Sequence, residues 1–280
     1  MSYMIIKKGK VIFKIVIIIL LIIILSLIFK NFLSQSQNIK LSFFDVGQGD
    51  ACLIKTPNNK IILIDGGPDN LILRSLGSQM PFYKRRIHMV IVSHFHQDHI
   101  VGLIEVFRRY KVEYLILGEA MKTFYPGEVL FFEAKKQNTK IIYVDDEIRL
   151  VFQKDCYLNI LNPTHISSNN DNDSLIAKLS CGNFSFLTSG DNEQKIEEQI
   201  LETSFDLSAQ VFKASHHGSK TSNSYAFLEA ISPSLMVISV GASNRFGHPS
   251  PSVLNTANSL DIDVKRTDKL GTINILVGIE

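Results

Sequence analysis

The apolar positions form one long run and then many short ones. Residues 15–29 carry no charge, and residues 11–13 extend the stretch to roughly 19 if the Lys14 stem snorkels, close to the ~20 residues of a bilayer-spanning helix. A polar stretch rich in Ser, Gln and Asn follows at 31–38 and reads as a linker. Beyond it the apolar runs shorten to strand length, at 41–46, 51–55, 60–64, 89–92, 114–117, 141–144, 148–152, 157–161, 175–179, 184–188, 211–213, 235–240 and 273–277. Between them the spacing changes to the helical period at 100–110, 123–136, 192–201, 224–230 and 251–260. Strands interleaved with helices, with no internal repeat and no long Pro- or Gly-rich break, predict one α/β domain over 39–280. Its two stacked sheets carry their helices outside.

Charge divides the chain further. The 280 residues hold 29 basic and 27 acidic side chains, net +2, and are 45% hydrophobic and 20% charged. That balance excludes a disordered charged tail, a collagen-like fibre and a multi-span transporter. Residues 1–30 contain five lysines and no acid, so the remainder has 24 basic against 27 acidic residues, net −3. Lys7, Lys8, Lys10 and Lys14 precede the apolar run and only Lys30 follows it directly. The positive-inside rule then puts the N-terminus in the cytoplasm and the domain outside. No A-x-A-like cleavage site follows Phe29, so residues 1–30 are expected as an uncleaved single-pass membrane anchor. A slightly acidic domain attracts polyanions only through local clusters such as 84–86 and 108–111. Cys52, Cys156 and Cys181 are odd in number and mostly set in apolar runs. They are expected as small core residues, not a disulfide framework or a zinc cluster.

The most specific pattern is Ser93-His94-Phe95-His96-Gln97-Asp98-His99, directly after a buried strand. Three imidazoles and one carboxylate in six residues, on loop backbone free of any strand or helix period, suit zinc, manganese or iron, with ligands enough for two ions. Asp191 closes an apolar strand where an acid has no packing role, so it is placed either to bridge two metals or to cap the next helix. Ser215-His216-His217-Gly218 ends another strand, and either imidazole can ligate.

In this order of HxHxDH, strand-terminal Asp and strand-terminal His, the chain resembles the metallo-β-lactamase superfamily, and more finely the soluble domain of ComEC/Rec2 competence proteins. The matching segments are Phe44 to Asp50, Leu63 to Gly67, Ser93 to His99, Asn172 to Leu175, Thr188 to Asp191, Ser215 to Ser219, Asn244 to Pro249 and Thr267-Asp268. The resemblance implies a four-layer αββα sandwich with the metals at the open edge between the sheets. It makes His94, His96, Asp98, His99, Asp191 and one of His216 or His217 ligands of two divalent ions, Zn or Mn. Asp65 would orient the ligands, with Asp50 and Asp173 beside them, and His248 would face the site as an acid or a phosphate binder. Two departures stand out. The superfamily's further His ligand has no equivalent where Asn172-Asp173-Ser174 lies, and His165 sits in a turn-like Asn-Pro-Thr setting. The multi-span channel segment of the competence proteins is not in this sequence, so DNA translocation by this chain alone is not expected.

Two ions sharing a carboxylate lower the pKa of a bridging water and clamp a phosphoryl group, so the expected reaction is phosphodiester hydrolysis. Asp98 or Asp191 would orient the water and His248 would protonate the leaving oxygen. The competence resemblance implies a DNA strand, single-stranded DNA among the candidates, as the phosphodiester substrate, and if it extends to chemistry a basic track of Lys213, Lys220 and Arg245 leads to the metals. The rival readings are a cell-envelope phosphodiesterase or esterase, and a non-catalytic metal-binding module that partners a DNA-uptake channel.

Overall fold

The computed structural model describes residues 13–27, 38–118, 125–163 and 173–279. Expectations that concern residues 1–12, 28–37, Thr123, His165 and Asn172 lie outside these. The chain forms two units, Met1–Gln37 and Asn38–Glu280. In the first, residues 13–27 form helix α1, whose apolar side chains from Phe13 to Leu27 are exposed. Among the described residues no helix is long and apolar enough to cross a membrane.

The second unit holds two seven-stranded sheets. The first runs β14 (Ile273–Gly278), β1 (Asn38–Phe43), β2 (Cys52–Lys55), β3 (Ile61–Ile64), β4 (Arg86–Ile91), β5 (Lys111–Gly118) and β6 (Lys140–Val144). The second runs β13 (Asp263–Arg266), β12 (Leu235–Ile238), β11 (Val211–Lys213), β10 (Phe184–Thr188), β9 (Ile176–Cys181), β8 (Cys156–Leu161) and β7 (Glu147–Gln153). Strands buried on both faces read as continuous apolar runs. In β3, Ile62 and Ile64 enter the core between the sheets, while Ile61 and Leu63 meet the outer helices. Phe43 and Phe186 join the two sheets edge to face, with ring centroids 5.5 Å apart.

Helices α2 (Leu71–Gln79), α3 (Gln97–Arg109) and α4 (Tyr125–Lys136) cover the first sheet through Leu76, Leu103 and Leu130. Helices α5 (Gln194–Leu201), α6 (Tyr225–Ile231) and α7 (Pro251–Ser259) cover the second through Ile196, Phe227 and Val253. The result is the expected αββα order. β3 to β6 are parallel, as are β10 to β13, so the loops leaving their C-terminal ends gather at one edge, where α/β sheets place their sites.

Three elements depart from the sequence expectation. β13 reads Asp-Val-Lys-Arg, an edge strand too polar to show an apolar run. α2 buries only Ile72 and Leu76 of nine residues, and α8 (Thr267–Leu270) is a single turn. The cysteines also need correction, because Cys156 and Cys181 are bonded to each other. The antiparallel register of β8 and β9 makes them direct cross-strand partners, a relation that 25 residues of sequence separation conceals. Both are buried as expected, and Cys52 is free and buried.

Glu197 ties α5 to α6. It is 0% exposed, and its carboxylate accepts the backbone N–H groups of Asn223 at 2.5 Å and Ser224 at 2.9 Å. These donors have no other partner once the acid is removed. Glu197→Ala is therefore expected to lose about 2–4 kcal/mol of stability in denaturant unfolding, against at most about 0.5 kcal/mol for the exposed Glu198→Ala. Equal losses would show that the buried carboxylate has no such capping role.

Candidate metal centre

The site forms where β3, β4, β10, β11 and β12 end. Asp65 leaves β3 in the left-handed conformation, φ 58°, and is 2% exposed. Its Oδ1 accepts the Ser93 backbone N–H at 2.9 Å, and its Oδ2 accepts the Ser93 hydroxyl at 2.7 Å and His99 Nδ1 at 2.9 Å. Gly66 follows, and a Cβ there would stand 2.7 Å from the Leu103 backbone nitrogen, so its bare backbone lets α3 seat closely on the end of β3. That seating carries Asp98 and His99 into place on the first turn of α3, a helix that starts at Gln97 and not at Ile100. The His-rich segment is thus a loop through His96 and a helix from Gln97 onward.

From the second sheet, Asp191 follows β10 through Gly190, whose φ is +53° and whose missing Cβ would lie 2.4 Å from the Ser174 Cβ. The Ser174 hydroxyl accepts the Asp191 N–H at 2.9 Å, and the Asn192 amide clamps the Ser174 backbone through N at 2.8 Å and O at 2.9 Å. The N-cap position of α5 is Glu193, so Asp191 is left to the site and not spent on the helix. His216 and His217 are consecutive left-handed residues, φ 49° and 54°, a conformation that costs about 1–3 kcal/mol per residue and persists only when surroundings enforce it. Asn223 enforces it, accepting the Ser215 N–H and donating to the Ser215 carbonyl, each at 2.9 Å.

Ligand atoms of Asp98, His99, Asp191 and His217 all lie within 4.8 Å of one another. His217 Nδ1 donates to the Ser239 carbonyl at 3.0 Å, as His99 Nδ1 donates to Asp65, so both rings turn Nε2 inward. His99 Nε2 is 3.3 Å from Asp191 Oδ2, and His217 Nε2 is 3.2 Å from Asp98 Oδ2. A bare nitrogen lone pair facing a carboxylate oxygen requires a positive charge between them. Without a metal, protons supply it. Burial opposes charging His217, yet Asp191 and Asp50 outweigh it and push the ring up to about 10. His99 is likewise raised well above the ordinary imidazole range, against burial, by Asp191 and Asp65. Asp191 is held well below the carboxylate range because His99 and His217 outweigh its burial.

His94 is buried beside this set, its ring centroid 4.2 Å from His99 and 4.5 Å from His96. Its Nδ1 meets the Ser93 hydroxyl at 3.1 Å. The buried Nε2 atoms of His94 and His99 and the buried Oδ1 of Asp191 have no hydrogen-bond partner. Within the tight group, an imidazole nitrogen of His99 and a carboxylate oxygen of Asp191 left without partners fit a divalent transition metal. A second group, Asp50, Asp65 and His99, is a different kind of cluster, because Lys213 pairs with Asp50 and Ser93 with Asp65. It buttresses the ligands.

The remaining expected residues divide. His216 is partly exposed, its Nε2 3.9 Å from Asp191 and its Nδ1 3.6 Å from Glu193, and only His217 joins the tight group. His248 is half-buried, 5.7 Å by ring centroid from His216 and 6.4 Å from His217, with Phe246 stacked at 5.7 Å. Burial and the charges of His217 and His216 bring it down to about 4. Asp173 directly precedes Ser174 and is half-buried. Lys220 and Arg245 are exposed. Lys213 is corrected: it is 3% exposed and paired with Asp50, so it belongs to the buttress and not to a surface track. The supporting Ser239 and Asn223 fall outside the sequence motifs, and Ser93, at the head of the His-rich segment, has no ligand chemistry of its own to mark it.

The family model for the metallo-beta-lactamase superfamily matches residues 44–241, a span that contains every residue of the tight group. The chain is 28% identical over 254 residues to ComE operon protein 3 of Bacillus subtilis (strain 168), covering 84% of this chain and 32% of that protein. It is 27% identical over 241 residues to competence protein ComA of Neisseria gonorrhoeae, covering 85% and 32%. It thus spans about a third of the length of these curated relatives. The fold matches the crystal structure of the metallo-beta-lactamase fold protein YhfI from Bacillus subtilis, with a TM-score of 0.59 at 13% identity over 85% of this chain and 100% of that one. Sequence match, layer order and the ligand-bearing edge agree, and the chain belongs to the metallo-beta-lactamase superfamily.

Proposed function

We propose that this chain is a metal-dependent phosphodiesterase acting on single-stranded DNA from a membrane anchor. The observation that carries the reading is the convergence of Asp98, His99, Asp191 and His217, whose ligand atoms lie within 4.8 Å of one another with His99 Nε2 and Asp191 Oδ1 left without hydrogen-bond partners. Asp98, His99, Asp191 and His217 would hold one divalent ion, and His94 and His96 with Asp191 a second, either zinc or manganese. Ions held there supply Lewis acidity and lower the pKa of water. Asp98, with its side chain 33% exposed, accepts a hydrogen bond from the attacking water. His248, half-buried with its ring centroid 5.7 Å from that of His216, is assigned to face the leaving side of the substrate as a neutral imidazole. Asp65 and the Ser239 carbonyl keep the two ligating rings from turning. DNA is favoured because the relatives at 27–28% identity include a protein named for competence.

Chelation is expected to abolish turnover of both a single-stranded oligonucleotide and bis-p-nitrophenyl phosphate, with zinc or manganese restoring it. Neutralising Lys220 and Arg245 together should raise KM for the oligonucleotide about tenfold and flatten its salt dependence, because fewer counterions leave on binding. The small diester should be unaffected. If the loaded protein cleaves the small diester rapidly and DNA not at all, the DNA reading fails and an envelope phosphodiesterase replaces it.

The exposed apolar surface of α1 and the lysines before it support an anchor with the domain outside the cytoplasm. Protease added to intact spheroplasts should remove residues 38–280 and leave a small membrane fragment. Full protection of the domain would reverse the orientation.

A further inference from the structure

We propose that the edge of the first sheet opposite the metal centre is a docking face for an anionic lipid surface. β1, β3, β4, β5 and β6 all run in one direction, because β3 to β6 are parallel neighbours and β1 reaches β3 through two antiparallel steps. Their C-terminal ends lead toward the metal loops, so their starts line the far edge. Asn38, the first residue of β1, enters there.

The α2–β4 connection lies at the same edge. It presents Phe82 and Tyr83, 87% and 70% exposed, with ring centroids 5.5 Å apart edge to face. Two large aromatic side chains side by side in water contribute nothing to the core. Lys84 and Arg85 follow and are exposed, with no acidic partner among the described ion pairs. The Lys111 N–H donates to the Arg85 carbonyl at 2.8 Å, which fixes this loop to the start of β5, and exposed Lys140 opens β6. The metal edge is the opposite in character, with Asp50, Asp65, Asp98 and Asp191.

Aromatic rings beside lysine and arginine form the composition that sits at a membrane–water interface, and the cations add attraction to anionic headgroups. The covalent path favours lipid over nucleic acid. Ten residues, 28–37, separate α1 from Asn38, and ten extended residues reach at most about 35 Å. The chain that follows α1 enters the domain at Asn38, on the same edge as Phe82. The inference rests on reading α1 as an anchor, and docking would turn the metal centre away from the bilayer.

The test uses the full chain reconstituted in vesicles of phosphatidylcholine with phosphatidylglycerol. A fluorophore is placed at Phe82→Cys, or at the metal edge through Ser243→Cys, and headgroup nitroxide lipids are the quencher. Cys52 is buried and Cys156 and Cys181 are bonded, so none of the three competes for label. Position 82 should be quenched at least about threefold more than position 243, and Lys84→Glu with Arg85→Glu should remove the difference, as should omitting the anionic lipid. Equal quenching at the two positions, or insensitivity to charge reversal, overturns the docking face. A label at position 82 that responds to single-stranded DNA and not to lipid overturns it in favour of nucleic acid. A chain that fails to sediment with vesicles overturns the anchor reading together with this one, whereas sedimentation without quenching overturns docking alone.

Discussion

Asp50, Asp65 and Asp191 are taken out of water at one edge of the sandwich, and a buried carboxylate is costly unless its charge is answered. Asp50 is answered by Lys213 and Asp65 by Ser93 and His99. Asp191 meets the imidazole nitrogens of His99 and His217, has the Asp98 carboxylate in the same group, and keeps one oxygen without a hydrogen-bond partner. The other features of the edge follow from this imbalance. Glycines 66 and 190 let a helix and a serine approach closely enough to position the acids, and Asn223 holds two left-handed histidines against their conformational preference. Such strain and desolvation persist where a cation answers them.

The same topology sorts charge between the two ends of the first sheet. Parallel strands send their C-terminal loops to one end, where acids and imidazoles gather, and their starts to the other, where lysine, arginine and two exposed aromatics gather. The first sheet therefore has two chemically distinct ends. This polarity is a property of strand direction and follows from no single residue.

Much of this was legible in the sequence because buried strands write themselves as apolar runs. β10 and β11 match their expected bounds at both ends, and the His-rich segment stands out at the end of β4. What was hidden depends on contacts between distant segments. The pairing of Cys156 with Cys181 requires the β8–β9 register, and the burial of Lys213 requires knowing that Asp50 lies across from it. A lysine beside a histidine motif reads as a surface cation until the fold removes it from water. The choice between His216 and His217 likewise rests on backbone conformation, since both sit in one irregular turn where strand alternation does not apply.

The central claim is that the orphaned atoms at the sheet edge exist to hold metal. Anomalous diffraction from crystals of the full chain grown with zinc measures this directly. Two peaks are predicted, one among Asp98, His99, Asp191 and His217 and one beside His94, His96 and Asp191, each about 2.0–2.2 Å from its nitrogen and oxygen ligands. An edge without anomalous density at saturating metal, or an ion seated between Asp50 and Asp65 with Lys213 displaced, would contradict the account.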